Sequence, residues 1–103
     1  MVRPKIETFG ERVRRIREGR TIPQTQLAQA LGISGAYLSR IESGRDHPPA
    51  EAVIRLMASA LGESADALLA HAGRVPEDIA AWLVADPSRL ATLRKRMARE
   101  VKS

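Results

Sequence analysis

Between Gln24 and Gly44 the chain reads as two short helical patterns flanking one tight turn. Leu27, Ala28 and Leu31 recur at helical spacing, and so do Tyr37, Leu38 and Ile41. Helices are therefore predicted over about 24–31 and about 34–43. Gly32 supplies the backbone freedom that a helix C-terminus needs. Ser34 is a natural N-cap for the following helix, and Gly44 ends it. Two short helices joined in this way form a helix-turn-helix, whose second helix can enter the major groove of duplex DNA.

The flanking sequence extends the helical pattern in both directions. Met1–Glu7 reads as an arm, because Pro4 discourages helix, and its Arg3 and Lys5 are free to reach a phosphate. Thr8-x-x-Glu11 has the form of a capping box. A first helix is predicted from Phe9 to Glu18, with Phe9, Val13 and Ile16 as its buried stripe and Gly19 closing it. Two prolines and a glycine argue against helix over 44–49. A fourth helix is predicted over about 50–61, with Val53, Leu56, Met57, Ala60 and Leu61 inward and Gly62 as its stop. Ser64 caps a fifth over about 65–72, with Leu68 and Leu69 inward, and Gly73 ends it.

Beyond Gly73, Val75-Pro76-Glu77-Asp78 places proline and acids where a helix start favours them. Ile79, Trp82 and Leu83 follow at helical spacing. Asp86-Pro87-Ser88 repeats the start signal, and a seventh helix carries Leu90, Leu93, Met97 and Val101 on one stripe. The expected fold is all-α: a five-helix domain over residues 1–73 and a two-helix extension over 74–103.

Charge narrows the partners. The chain of 103 residues carries a formal net charge of +5, which favours an anionic ligand. Residues 1–20 hold seven Lys or Arg against three acids, and residues 87–103 hold six against one. The middle, 21–86, holds four against eight and is net acidic. Attraction to a phosphate backbone must therefore come largely from the N-terminal segment, or from the far C-terminus if that reaches DNA. Zero cysteines exclude disulfide scaffolds, thiolate metal sites and cysteine nucleophiles. Three aromatic residues argue against the stacking platforms of single-strand binders. No window is long and apolar enough for a membrane span, and the N-terminus lacks the apolar run of a secretory signal. A cytoplasmic protein with no membrane association is expected. His47 and His71 have no metal-ligand spacing around them, so neither metal nor cofactor is expected. No carboxylate cluster or histidine-based site suggests an enzyme.

The stretch from Gln24 to Gly44 resembles the helix-turn-helix domains of the phage repressor and Cro class, the Xre family. The residues that carry the likeness are Gln24, Leu27-Ala28, Gly32-Ile33-Ser34, Tyr37-Leu38-Ser39 and Ile41-Glu42-x-Gly44. The similarity extends from Phe9 to about Leu69. It implies that Gln24 contacts a phosphate and braces the second helix of the motif, and that Arg17 pairs with Glu42 to lock the first helix to the third. It also places the Gly44 backbone and Arg45 against phosphate, with Asp46 opposing unless it turns away or caps the loop. Pro23 departs from the family, which usually has Ser or Thr there.

On the exposed side of the third helix lie Ser34, Gly35, Ala36, Ser39 and Arg40. Arg40 is the best candidate for base readout, because its planar fork matches guanine O6 and N7. A phosphate clamp or a solvated arginine are its other readings. Ala36 suits a thymine methyl, and Gly35 lets the backbone approach closely. Tyr37 is expected beneath the helix with its hydroxyl near the DNA backbone. Because side chains at 35 and 36 are small, part of any specificity is expected from DNA shape.

A single motif reads few base pairs, so a dimer on a palindromic operator is the usual solution. Ile79, Trp82, Leu83, Leu90, Leu93 and Met97 are the candidate dimer interface, the other reading being that the extension folds back over the core. The chain is expected to be a sequence-specific regulator of transcription, a dimeric repressor acting by occupancy of double-stranded DNA. The alternative is an antitoxin or other protein-interaction module whose C-terminal helices hold a partner protein.

Overall fold

Capping chemistry sets where the helices begin. The Thr8 hydroxyl accepts the Glu11 amide at 3.1 Å while the Glu11 carboxylate accepts the Thr8 amide at 3.0 Å, a complete capping box. Ser34 and Ser64 each accept an amide from the first turn that follows. Pro23 has no side-chain acceptor, yet its φ of −61° suits a helix start, and its carbonyl accepts from Gln26 and Leu27. Asp86 takes both the amide and the hydroxyl of Ser88 across Pro87.

The computed structural model describes residues 6–102, with Lys102 described by its backbone alone. Among the described residues there are seven helices and no strand: α1 (Phe9–Gly19), α2 (Gln24–Leu31), α3 (Gly35–Ser43), α4 (Glu51–Leu61), α5 (Ala65–His71), α6 (Glu77–Ala85) and α7 (Ser88–Lys102). Between α2 and α3 the chain reverses through Gly32 at φ 68°, the left-handed conformation expected there.

The end of α1 differs from expectation. Gly19 is its last helical residue, and the left-handed turn falls on Thr21, at φ 58°. A β-branched residue is costly in that region. It is held there by the amide of Ile22 on the Arg17 carbonyl, at 3.0 Å, and by the Arg17 guanidinium on the Ile22 carbonyl, at 2.9 Å. One arginine thus clamps the loop from both its main chain and its side chain.

The core lies within α1–α5. Phe9, Val13 and Ile16 of α1 meet Leu27, Ala28 and Leu31 of α2, Leu38 and Ile41 of α3, and Leu68 and Leu69 of α5. In α4 the buried stripe is Ile54, Met57, Ala58 and Leu61. This corrects the expected phase by about one residue: Val53 is half-buried, while Leu56 and Ala60 are exposed. Apolar residues occur nearly all round α4, so periodicity alone leaves its rotation open. The partners α2 and α5, on which it packs, decide it.

α1 and α3 approach closely at Gly10. A β-carbon there would overlap the Ile41 carbonyl oxygen and come within 2.6 Å of that of Glu42. This contact was not foreseen from sequence.

α6 and α7 pack chiefly on one another. Their root is tied to the five-helix body. Arg74 donates to the carbonyls of Pro48 and Pro49, and the Glu77 amide donates to the Glu51 carboxylate at 3.1 Å. Arg89 stacks on the Trp82 ring at 4.3 Å and donates to the Trp82 carbonyl.

Gly10→Ala is expected to lose on the order of 2 kcal/mol, because two backbones cannot yield to the added methyl. This holds although alanine gains about 1 kcal/mol of helix propensity. Gly19→Ala, where a β-carbon meets nothing within 4 Å, is expected to gain up to about 1 kcal/mol. Urea unfolding of both variants checks the contrast.

Candidate nucleic-acid interface

The orientation of α3 is set by charges beneath it. Glu42 points inward and takes a bidentate arginine: Arg17 Nε donates to Oε2 at 2.8 Å and Nη2 to Oε1 at 3.1 Å. The two side chains are 10 % and 4 % exposed. Gln24 Nε2 adds a third donor to Oε1 at 3.1 Å. The Glu42 hydrogen bond pushes the Arg17 guanidinium above its ordinary pKa, against the opposing effect of burial. One carboxylate therefore joins the end of α1, the first residue of α2 and the last turn of α3. A buried ion pair satisfied on both sides fixes geometry, and losing either half strands a charge.

With Leu38, Ile41 and Glu42 buried, the opposite side of α3 faces out. Ser34, Ala36, Ser39 and Arg40 are exposed and Gly35 is half-buried. Tyr37 is partly buried against the core, and its ring lies 5.7 Å from the Arg40 guanidinium carbon. Arg40 also donates from Nε to the Asp46 carboxylate at 2.9 Å. Asp46 therefore turns toward Arg40 and not toward Arg45, which stays exposed after Gly44. Arg3 and Lys5 lie outside the described residues.

Between α1, α2 and α3 is an open polar cleft of about 290 Å³ lined by Arg14, Arg17, Gln24, Ser39, Glu42 and Ser43. Arg14 was not singled out by sequence, although it stands three residues before Arg17 and so on the same side of α1. It is paired with Glu18 at 2.7 Å. The cleft offers amide, hydroxyl and guanidinium donors beside a carboxylate already neutralised by Arg17, chemistry suited to an anionic oxygen.

Other polar groups are structural. His71 Nε2 lies 2.7 Å from the Glu7 carbonyl and ties α5 to the segment before α1. The Arg15 hydrogen bond holds the Glu7 carboxyl below its usual range. Among the described residues no group of three or more His, Cys, Asp or Glu is placed to hold a metal, and no helix is long and apolar enough to cross a membrane.

Of the expected interface residues on the extension, Ile79, Trp82, Leu90, Leu93 and Met97 are exposed and Leu83 is half-buried.

Arg17→Ala is expected to cost roughly 3–5 kcal/mol by stranding Glu42. Replacing both partners, as Arg17→Met with Glu42→Leu, is expected to recover much of that loss. Denaturant midpoints of the single and double variants measure both.

Known proteins are similar to this chain in sequence and in fold. The chain is 40% identical over 72 residues to the HTH-type transcriptional repressor RghR of Bacillus subtilis (strain 168), covering 70% of this chain and 53% of that protein. It thus spans about half the length of the curated relatives it matches. Among solved structures, the biofilm regulator SinR in complex with DNA superposes with a TM-score of 0.55 at 26% identity, covering 60% of this chain and 98% of that one. The clp gene regulator ClgR of Corynebacterium glutamicum superposes with a TM-score of 0.57 at 25% identity, covering 93% of this chain and 88% of that one. The family described as "Helix-turn-helix domain" matches residues 8–72, and the chain belongs to it.

Proposed function

We propose that this chain is a sequence-specific regulator of transcription that binds double-stranded DNA as a dimer and represses by occupying a two-fold symmetric operator. The observation that carries the reading is α3 itself. It is locked from beneath by Arg17, Glu42 and Gln24, and it presents Ser34, Ala36, Ser39 and Arg40 outward. A rigid helix with a polar outer face is what major-groove reading requires. The likeness to a named repressor and to a structure holding DNA supports the same reading. A regulator of this kind is not an enzyme and works in the cytoplasm.

In this reading the outward face of α3 enters the groove with its N-terminal end leading. Arg40 reads guanine, Ala36 touches a thymine methyl, and Gly35 allows close backbone approach. Gln24, at the start of α2, binds a phosphate with the spare hydrogen of its amide and the free amides of the helix end. Gly44, Arg45 and the Tyr37 hydroxyl face the backbone of the same half-site, and Arg3 and Lys5 of the arm add phosphate contacts.

The extension supplies the second half-site. The five-helix core closes without it, while Trp82 is 50% exposed and Leu90, Leu93 and Met97 continue the apolar row along α7. A face this apolar is seldom left to solvent, and burying it in a second copy supports the dimer, with tryptophan as its natural anchor. Half-sites then lie about one helical turn apart, or a multiple of it.

Two measurements test this. In vitro selection from random duplex DNA at physiological salt is expected to enrich a two-fold motif. Arg40→Ala is expected to weaken one position of each half-site by about 1–3 kcal/mol. Salt-sensitive bulk binding with no motif would refute specific recognition. Separately, Leu93→Asp is expected to convert the chain to a folded monomer in sedimentation and to abolish the two-fold motif. A wild-type monomer that binds fully would instead leave the extension to a different protein.

A further inference from the structure

Arg40 does not stand alone on α3. Its Nε donates to Asp46 Oδ2 at 2.9 Å, and among the described residues its two terminal nitrogens have no acceptor. Asp46 is itself held by the backbone. The amides of Arg45 and Asp46 both donate to the Arg40 carbonyl, at 2.9 and 3.1 Å. The loop that follows α3 thus returns the carboxylate to the side chain one turn back, whether or not an ion pair forms. The Tyr37 ring, 5.7 Å from the guanidinium carbon, backs the same group.

We propose that Asp46 is a specificity-determining residue that orients Arg40 for a base edge and cancels its attraction to phosphate. The inference rests on the reading that α3 enters a major groove. A guanidinium has five donors in a rigid plane. Fixing Nε sets the rotation of that plane and leaves Nη1 and Nη2 as an end-on fork, the pair that matches guanine O6 and N7. Ordering the side chain before binding lowers what binding must order. The carboxylate also makes the Arg40–Asp46 unit neutral. Its long-range pull on a phosphate is lost, while its short-range directional donors are kept. Where the fork meets no guanine, its donors are left unpaired and the neutral unit has no net attraction to phosphate to make up the loss, which acts against wrong sequences. Both side chains are partly exposed, 47% and 36%, so the pair adds little to folding stability. Its effect is on selectivity.

The full-length chain is tested as wild type, Asp46→Ala, Asp46→Asn, Arg40→Ala and Arg40→Ala with Asp46→Ala, with thermal melts showing that each is folded. Binding is measured to the selected site, to the same site with its guanine replaced, and to random duplex, across a salt series. Asp46→Ala is expected to cut discrimination for guanine roughly tenfold. It is also expected to tighten random-duplex binding and to steepen the log–log salt slope by about one. Asp46→Asn, neutral but still an acceptor, is expected to retain part of the discrimination while steepening the slope as alanine does. In the Arg40→Ala background, removing Asp46 is expected to leave base preference unchanged. An Arg40-dependent guanine preference that survives Asp46→Ala overturns the proposal alone. So does an Arg40→Ala variant that flattens the salt slope without touching base preference, since Arg40 is then a phosphate clamp. A wild type that selects no motif removes the groove-reading function and this proposal with it.

Discussion

The crossing of α1 over α3 is the constraint on which the rest of the fold depends. Gly10 lets the two backbones touch, and the Arg17–Glu42 pair closes the same crossing about two turns further along α1. An apolar contact there would hold the helices together but would let them slide. Bidentate geometry removes that freedom, because a fork and a carboxylate match in one register only. The burial of both charges adds a penalty for any arrangement that separates them. Arg17 then reaches the Ile22 carbonyl and holds Thr21 in its strained turn, so the loop leading into α2 is fixed by the same side chain. Gln24 completes the set from the start of α2. The angle of α3 is therefore a consequence of polar groups, while hydrophobic burial supplies most of the energy that keeps them there.

Much of this was legible in the residues. Thr8, Ser34 and Ser64 mark their helix starts through acceptors that the free amides of a first turn require. Gly32 marks the turn between α2 and α3. The apolar stripes of α1, α2 and α3 read correctly because polar residues interrupt them on the other faces. α4 was misread by about one position for the opposite reason. With Ala52, Val53, Ile54, Leu56, Met57, Ala58, Ala60 and Leu61 in one helix, several faces qualify as core. Only the neighbours α2 and α5 select Ile54 over Leu56, and neighbours are not local information. Gly10 was passed over because a helical glycine looks like a weak propensity choice until the partner backbone is seen behind it. Thr21 was invisible because its conformation is imposed by Arg17 from outside the loop.

The candidate site divides along the same line. Residues that face out of α3 follow from helix geometry once the buried face is known, so Ser34, Ala36, Ser39 and Arg40 could be named in advance. The partners they acquire from other segments could not. Asp46 reads in sequence as a charge opposing its neighbour Arg45, and the chain reversal after Gly44 instead delivers it to Arg40. Arg14 enters the polar cleft because α2 and α3 meet α1 beside it; its i, i+3 spacing to Arg17 places it on that side of α1, but the cleft itself is made by the other two helices.

The uneven charge of the chain gains a physical meaning from these pairings. Along α3 and the loop after it, Glu42 is neutralised by Arg17 and Asp46 by Arg40, leaving Arg45 as an exposed cation beside the outward face of α3. On the proposed function, electrostatic attraction then belongs mainly to Arg45, the basic N-terminal segment and whatever part of the basic C-terminus reaches the duplex. Hydrogen-bond selection belongs to α3. Separating the two is useful to a protein that must leave wrong sites quickly. Attraction spread along peripheral cations binds any duplex weakly and is screened by salt, whereas a neutralised fork on a rigid helix adds affinity only where the acceptors are placed to meet it. The ties at Arg74 and Glu51 extend this logic past the five-helix body. They fix the root of α6 to the Pro48–Glu51 stretch that follows α3, so the direction in which the extension leaves is set by the loop after α3. On the proposed dimer, a second copy docked on that extension would inherit the direction, and the distance between the two copies of α3 would be a property of the fold and not of a flexible linker.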